Sequence, residues 1–153
     1  MVLYPLKYDY FKKMKKKPFK KQHKILLNTN VNKKSSLIKY GIYALKAISP
    51  GKLNAIQLET ARRVISRQTK RVGKIFIRII FQIPLTKQPL LSRMGKGSGP
   101  IKKWIALISL GTIIIEFAGP SKRNSINALK ASSLKLPLKT NVIQRNGLLI
   151  KFT

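Results

Sequence analysis

Positive charge constrains this chain more than any other feature. Its 33 Lys and Arg residues compare with 3 Asp and Glu residues, so the formal net charge at pH 7 is +30. A folded protein with this balance repels itself at its surface and gains little from internal ion pairs, and its field attracts a polyanion from a distance. The charge therefore predicts a polyanionic partner, with nucleic acid as the first candidate and an anionic membrane surface as the second.

Hydrophobic composition indicates that the chain is more than a charged tail. Hydrophobic residues make up 44% of its 153 residues, and a chain of this length can form one domain with a substantial core. The positive charge is then expected on the surface of a folded unit and in its extensions.

The residues that usually carry chemistry are scarce. The chain has no cysteine, its one histidine is His23 within a lysine run, and its carboxylates (Asp9, Glu59 and Glu116) are far apart in sequence. A metal site usually needs three or four ligands, and a hydrolase needs a base with an orienting partner. We therefore predict no catalytic residue, no metal site and no cofactor, and we interpret His23 as a solvated or phosphate-facing imidazole.

One apolar stretch, Trp104–Ile115, is long enough to raise the question of a membrane. It is shorter than the roughly 20 residues that a spanning helix needs, and it contains Gly111 and ends at Glu116. Two buried strands joined by a turn near residues 109–112 fit this pattern better. The basic N-terminus lacks the apolar core and small-residue cleavage site of a secretory signal, so no membrane insertion is expected.

Residues 1–36 are predicted to form a basic N-terminal extension. Lysines are closely spaced between residues 12 and 24, and five aromatic residues lie among or just before them. Such a segment cannot bury enough apolar area to order itself, whereas lysines can neutralise phosphates and aromatic rings can stack on bases. We favour an extension that becomes ordered on RNA over a solvated tail.

A helix is predicted after the turn at residues 49–51. Asn54 and Gln57 form a capping-box pattern, and Gly73 is a plausible C-cap. Leu58, Ala61, Ile65 and Val72 recur on one face, while Arg63, Arg67, Lys70 and Arg71 cluster opposite, with Arg62 at the edge. Without i,i+4 acidic partners these like charges would destabilise the helix, and arginine suits bidentate contact with phosphate.

The rest of the chain is predicted to alternate strands, a loop and a second helix. Strand-like stretches are residues 40–48, 74–81 (with Arg78 pointing outward), 101–110, 113–117 and 136–143, and we expect the strands at 101–110 and 113–117 to pair. The stretch from Pro84 to Pro89 has little periodicity. Ser121 caps a second helix that runs to about Lys135, with Ile126, Leu129, Ala131 and Leu134 on its buried side.

Residues 90–100 form the most distinctive loop. Gly95, Gly97 and Gly99 let the backbone approach another surface closely, and Arg93 and Lys96 add charge. The spacing does not fit a phosphate-binding P-loop. From composition alone, an RNA-contacting loop and a plain flexible hairpin both stay possible.

Several of these segments together resemble one family. In order and spacing, they are similar to the bacterial-type large-subunit ribosomal protein sixteen. The similar segments are Gly51-Lys52-Leu53, Ala61-Arg62-Arg63, the run Lys70–Arg78, Pro84–Leu90, Arg93–Gly99, Trp104–Leu107, Gly111 and Lys135–Thr140. The resemblance covers roughly residues 39–143. It departs from the family where Ser98 replaces a common lysine, where Ala44 replaces a usual glycine, and in its lysine-rich N-terminal segment.

The resemblance implies an α+β fold in which two helices pack on an antiparallel sheet. It implies binding to large-subunit ribosomal RNA (rRNA) near the central protuberance, and a glycine-rich loop that reaches toward the peptidyl-transferase centre and toward transfer RNA (tRNA) in the aminoacyl and peptidyl sites. The loop residues are Ser92, Arg93, Met94, Gly95, Lys96, Gly97, Ser98 and Gly99. The residues expected to bind rRNA are Lys7, Lys12, Lys13, Lys15, Lys16, Lys17, Lys20, Lys21, Arg62, Arg63, Arg67, Lys70, Arg71, Lys74 and Arg78.

The full prediction is a structural constituent of the large ribosomal subunit and not an enzyme. The expected domains are a basic N-terminal extension (1–36), a globular α+β domain with a protruding Gly-rich loop (37–144) and a C-terminal tail (145–153). The expected partners are rRNA, tRNA and neighbouring ribosomal proteins, without homo-oligomers. A free-standing cationic nucleic-acid-binding protein or RNA chaperone is the alternative. Heavy use of Lys, Ile and Asn follows AT-rich codons and favours an organelle-encoded mitochondrial protein, with the chloroplast or the bacterial cytoplasm as alternatives.

Overall fold

The computed structural model describes residues 21–23, 26–27, 29–32, 35–95, 97–119 and 121–145. The predicted sites from Lys7 to Lys20, loop residue Lys96 and the tail beyond residue 145 lie outside the described residues. The described elements, in chain order, are β1 (Tyr43–Ala47), β2 (Gly51–Asn54), α1 (Ala55–Gln68), β3 (Lys74–Ile77), β4 (Ile83–Thr86), β5 (Ile101–Ile108), β6 (Ile113–Ala118), α2 (Lys122–Ser133) and β7 (Thr140–Gln144). The predicted α+β class is confirmed.

The strands form two antiparallel sheets instead of the single predicted sheet. The larger has the order β3-β6-β1-β7 and the smaller the order β2-β5-β4. The predicted pairing of the strands at 101–110 and 113–117 is therefore wrong, because β5 pairs with β2 and β4 whereas β6 pairs with β1 and β3.

The turn between β5 and β6 explains this separation. Gly111 adopts a φ of 78°, and its N–H donates to the carbonyl of Ala47, while the Ala47 N–H donates to the carbonyl of Thr112, both at 2.9 Å. These bonds hold the turn at the end of β1, so β6 enters the larger sheet beside β1. The predicted turn position is confirmed.

Two short strands of the smaller sheet are not predicted from the sequence. β2 covers residues for which the sequence predicts a turn and a helix cap, and β4 contains Pro84. Both are edge strands of the smaller sheet, where a proline can lack its N–H without leaving a partner unsatisfied. Neither offers enough residues for an alternation pattern to be visible.

Helix α1 begins as predicted and ends earlier. The Asn54 N–H donates to Gln57 Oε1 at 3.0 Å within the capping box, and Leu58, Ala61 and Ile65 are buried. The C-cap is Thr69 instead of Gly73, so Val72 lies beyond the helix and is exposed. Its predicted place on the buried face is wrong.

Helix α2 shows the same pattern. Its N-cap is Ser121, as predicted, but it ends at Ser133 and not at Lys135. Its fully buried positions are Ser125, Ala128, Leu129 and Ser132. Leu134 follows the helix and is 82% exposed, so its predicted burial is wrong.

The main core is formed by the helices and by both sheets. Tyr43, Leu45, Ile115 and Phe117 share one face of the larger sheet, as their register requires. They belong to one buried cluster with apolar residues of the helices and of the smaller sheet, namely Leu58, Ala61, Ile65, Ala128, Leu129, Leu53, Ala106 and Ile108. A smaller cluster of Ala44, Ile113 and Ile143, with Ile38 packed against it, lies on the opposite face.

A segment that we call the strap (residues 35–42) enters the fold on that opposite face. The Ile113 N–H donates to the carbonyl of Ser35 at 3.1 Å, Ile38 packs on the smaller cluster, and the rings of Tyr40 and Phe76 stack with their centroids 5.6 Å apart. The strap therefore joins the basic N-terminal segment firmly to the sheet. Within the described part of the chain, neither helix is long and apolar enough to cross a bilayer.

Candidate nucleic-acid interface

The strap is held by one buried carboxylate. Glu116 is fully buried on β6 and accepts hydrogen bonds from the backbone N–H groups of Lys39 (3.2 Å), Tyr40 (2.7 Å) and Gly41 (2.8 Å). Arg78 completes the arrangement, with Nη1 at 2.6 Å from Glu116 Oε1 and at 2.7 Å from the carbonyl of Leu37. The carboxylate and the guanidinium together fasten the strap to the sheet.

This arrangement corrects the prediction for Arg78. Strand β3 ends at Ile77, and the side chain of Arg78 is 13% exposed because it turns onto Glu116. The predicted outward orientation is wrong. Binding of rRNA by Arg78 stays a prediction.

The pKa of Glu116 reflects two opposing effects. Burial alone would raise it, but the Arg78 guanidinium and the three backbone N–H donors favour the charged form and hold the pKa below its ordinary value. The carboxylate is therefore charged at neutral pH.

The basic face of α1 is partly neutralised within the helix. Glu59 Oε1 lies 2.8 Å from Nη2 of Arg62 and 3.1 Å from Nε of Arg63. The hydrogen bond from Arg62 is the main reason that the pKa of Glu59 is lowered. The expectation that these arginines lack an acidic neighbour is therefore wrong for Arg62 and Arg63.

Other predicted cations remain on the surface. Arg67, Lys70, Arg71 and Lys74 are all exposed, and Lys70 and Arg71 take the left-handed backbone conformation, with φ of 49° and 63°. A non-glycine residue rarely takes this conformation. Two consecutive cations in the turn after α1 therefore project from a backbone fixed by local hydrogen bonds, such as the Arg71 N–H to the Ser66 carbonyl at 2.8 Å.

The glycine-rich loop presents apolar and charged side chains together. Leu90, Leu91 and Met94 are 93%, 101% and 96% exposed, and Arg93 beside them is exposed as well. Large apolar side chains that no described part of the chain covers indicate a binding surface.

The base of this loop is fixed although its outer part is open. A Cβ atom on Gly99 would lie 2.6 Å from the Lys87 carbonyl oxygen, whereas a Cβ on Gly97 would meet nothing within 4 Å. Gln88 Nε2 donates to the carbonyls of Gly95 (3.2 Å) and Gly97 (3.4 Å). Gly99 thus permits close packing at the base, and Gly97, with φ of 76°, permits the turn.

Lys21, in the N-terminal segment, contacts the glycine-rich loop. Its Nζ donates to the carbonyl of Ser98 at 2.8 Å, and Gln22 lines a groove with Arg78, Ile83 and Leu107. The structure therefore puts one predicted rRNA-binding lysine beside the predicted loop.

A further set of cations was missed by the sequence reasoning. Lys122, Arg123 and Lys130 on α2, together with Lys135 and Lys139 after it, are exposed. The signal was present in the sequence, because no acidic residue follows Glu116. The apolar positions of this helix predict its buried side and do not by themselves indicate a binding role for the cationic side.

No cluster of three or more potential metal-ligating side chains occurs in the described part of the chain. The geometry is instead that of a cationic surface on a scaffold of two sheets and two helices, with one loop that combines apolar and charged groups.

Comparison with known proteins identifies the family. A family model described as ribosomal protein L16p/L10e matches residues 14–143. The large ribosomal subunit protein uL16 of Blochmanniella pennsylvanica is 47% identical over 131 residues, which cover 86% of this chain and 96% of that protein. The uL16 protein of Buchnera aphidicola is 43% identical over 132 residues (83% and 92% covered), and the uL16c protein of Gracilaria tenuistipitata is 42% identical over 131 residues (86% and 96% covered).

These matches confirm the resemblance to the family, and the family match extends from the basic N-terminal segment to β7. The chain belongs to the ribosomal protein L16p/L10e family.

Proposed function

We propose that the chain is a structural, non-enzymatic constituent of the large ribosomal subunit. It binds rRNA through its cationic surface, and its glycine-rich loop supports the positioning of tRNA near the peptidyl-transferase centre. Family membership carries the first statement. The exposed apolar and cationic side chains of residues 90–94 support the second, because nucleic acid offers both phosphates and base surfaces.

Within the predicted rRNA-binding set, contacts are proposed for the exposed cations on α1 and directly after it that have no acidic neighbour in the described structure, namely Arg67, Lys70, Arg71 and Lys74. Arg67 in the last turn of α1 is one of them, and Arg62 is not, because Glu59 holds it. Each phosphate contact releases counterions and steepens the salt dependence of binding. Arg67→Ala is expected to reduce the slope of log affinity against log salt by about 1, and Arg62→Ala by clearly less. Equal losses would argue against this assignment.

The loop is tested by the double substitution Arg93→Ala and Lys96→Ala. Ribosomes that carry it are expected to bind tRNA more weakly than wild-type ribosomes. The double substitution Lys102→Ala and Lys103→Ala removes the same charge from exposed positions on β5 and serves as the control. Unchanged tRNA binding in the loop variant would refute the role of the loop.

Sedimentation distinguishes this function from that of a free-standing RNA chaperone. A constituent of the subunit sediments with large subunits in stoichiometric amount at high salt, whereas a chaperone forms a soluble pool. A mitochondrial ribosome is the proposed location, on the strength of the codon-related bias toward Lys, Ile and Asn. Recovery of the chain from another compartment would overturn that location and leave the function intact.

A further inference from the structure

The exposed side of α2 is strongly cationic, and the sequence predicts no rRNA contact for it. Lys122, Arg123, Asn124 and Asn127 are exposed on the helix, and Lys135 follows it in an exposed position. The helix has no acidic residue in its first turn, and the sequence has none after Glu116.

The chain cannot neutralise this surface with its own described carboxylates. Glu59 is engaged with Arg62 and Arg63, and buried Glu116 is engaged with Arg78. Asp9 is the remaining acidic side chain in the sequence and lies outside the described residues. Lys122, Arg123 and Lys135 therefore have no side-chain carboxylate within the described structure, and their charge calls for an external anion.

The surface adjoins the turn that follows α1. Gln68, Thr69 and Lys70 line one side of a cleft, and Ser121 and Asn124 line the other. The left-handed turn at Lys70 and the first turn of α2 thus border the same cleft. Lys70 and the side-chain amides of Gln68 and Asn124 line it, and such groups commonly contact phosphate and sugar oxygens.

We propose that α2 and the turn after α1 form a second RNA-backbone-binding surface of this protein. This inference rests on the proposed ribosomal function and adds a contact on the helical side of the domain, apart from the glycine-rich loop. The ligand is the phosphate backbone of folded RNA. An acidic protein surface is less suitable, because protein interfaces are depleted in lysine and their cores are enriched in aromatic residues, and α2 exposes lysine, arginine and asparagine.

The first test compares two variants of the full chain with equal loss of charge. One carries Lys122→Gln, Arg123→Gln and Lys135→Gln, and the other carries Lys52→Gln, Lys102→Gln and Lys103→Gln at exposed positions of the smaller sheet. The measurement is the salt dependence of binding to large-subunit rRNA. The α2 variant is expected to lose about 2 to 3 from the slope of log affinity against log salt, and the control less than 1. Equal slopes in the two variants would overturn the proposal.

The second test leaves the charges of α2 in place. A photoreactive amino acid at Asn127, which is exposed between Arg123 and Lys130, is activated in assembled large subunits, and the adducts are identified by mass spectrometry. Adducts on RNA support the proposal, and adducts on protein alone overturn it. The crosslinked particles must contain the chain, so adducts on protein alone would refute the RNA contact of α2 and leave the ribosomal function intact. The ribosomal function would instead fail if the chain were absent from the large subunit.

Discussion

At the scale of single residues, Glu59 and Glu116 differ in burial, and this difference sets how much each stabilises the fold. Glu59 lies on the surface of α1 with a side chain that is 35% exposed, so water screens its pairing with Arg62 and Arg63. Glu116 is fully buried and accepts four hydrogen bonds, three of them from the backbone of the strap. An amide in its place would leave Arg78 without its counter-charge and would set an NH2 donor against two of these four donors.

Glu116→Gln is therefore expected to destabilise the protein strongly. Loss of one partner from a buried ion pair costs about 3–5 kcal/mol, whereas loss of an exposed pair costs at most about 1 kcal/mol. Denaturant unfolding of the full chain measures the free energy of unfolding for Glu116→Gln, with Glu59→Gln as the matched control. Similar unfolding free energies for the two variants would contradict the role assigned to the buried carboxylate.

The same carboxylate predicts a pH dependence of stability. Because the pKa of Glu116 is held below its ordinary value of 4.5 in the folded state, the charged form favours folding. This contribution is present above pH 4.5 and is lost as the pH falls below that value through the folded-state pKa. Glu59 acts in the same direction, but its exposure reduces the effect.

Unfolding curves recorded at a series of pH values from neutrality down to acid test this dependence. The wild-type chain is expected to lose stability below about pH 5, and Glu116→Gln is expected to show a flatter profile over the same range. A Glu116→Gln profile parallel to that of the wild type would mean that another group titrates.

At the scale of elements, the cations in the first turn of α2 lower the stability of the helix and favour the binding of an anion. Lys122 and Arg123 occupy its first turn, where the helix dipole is positive. Cations there weaken the free helix, while an RNA phosphate would be attracted both to their charges and to the exposed N–H groups of the turn. The first turn of α2 is thus less stable in the free chain and is suited to binding an anionic partner.

Lys122→Glu separates the two effects. The substitution is expected to raise the unfolding free energy of the free chain by about 0.3–1 kcal/mol and to weaken binding to rRNA. Thermal unfolding at low ionic strength and rRNA binding at fixed salt are the two measurements, and Lys130→Glu, farther along the helix, is the control for the stability gain. A variant that is less stable than the wild type would contradict the dipole argument.

Local signals explain which elements could be predicted from the sequence. The capping box at Asn54 and the N-cap at Ser121 depend on residues a few positions apart, and both were located correctly. Long-range contacts carry no such signal. The pairing of β5 with β2, and of Glu116 with Arg78 across 38 positions, depends on how the chain returns on itself. The loop was found by its composition and by resemblance, while the α2 cations were overlooked.

At the scale of the whole molecule, the strap determines where the basic N-terminal segment ends and the folded domain begins. Sequence composition suggested a boundary at residue 37. Backbone hydrogen bonds to the domain begin earlier, because the Asn32 N–H donates to the Leu110 carbonyl at 2.9 Å and the Ile113 N–H donates to the Ser35 carbonyl at 3.1 Å. From Lys39 to Gly41, the strap depends on Glu116.

Two truncations test whether the strap belongs to the domain. Residues 1–30 contain nine lysines and one aspartate, so their deletion removes charge without touching the strap, and relief of self-repulsion favours the folded state. We expect this shorter chain to melt at or above the temperature of the full chain and to bind rRNA with lower affinity and a shallower salt slope.

Deletion of residues 1–42 also removes the three N–H donors of Glu116 and the packing of Ile38. Hydrogen bonds to a charged group contribute about 1.5–3 kcal/mol each, so this chain is expected to lose about 3 kcal/mol or more of unfolding free energy relative to the chain that begins at residue 31. Glu116→Gln is then expected to lower the unfolding free energy of the chain without residues 1–42 by less than that of the chain that begins at residue 31, since part of the hydrogen-bond network of Glu116 is already absent. Equal melting of the two truncated chains would show that the domain folds without its strap, and that the N-terminal segment is attached to the sheet without stabilising it.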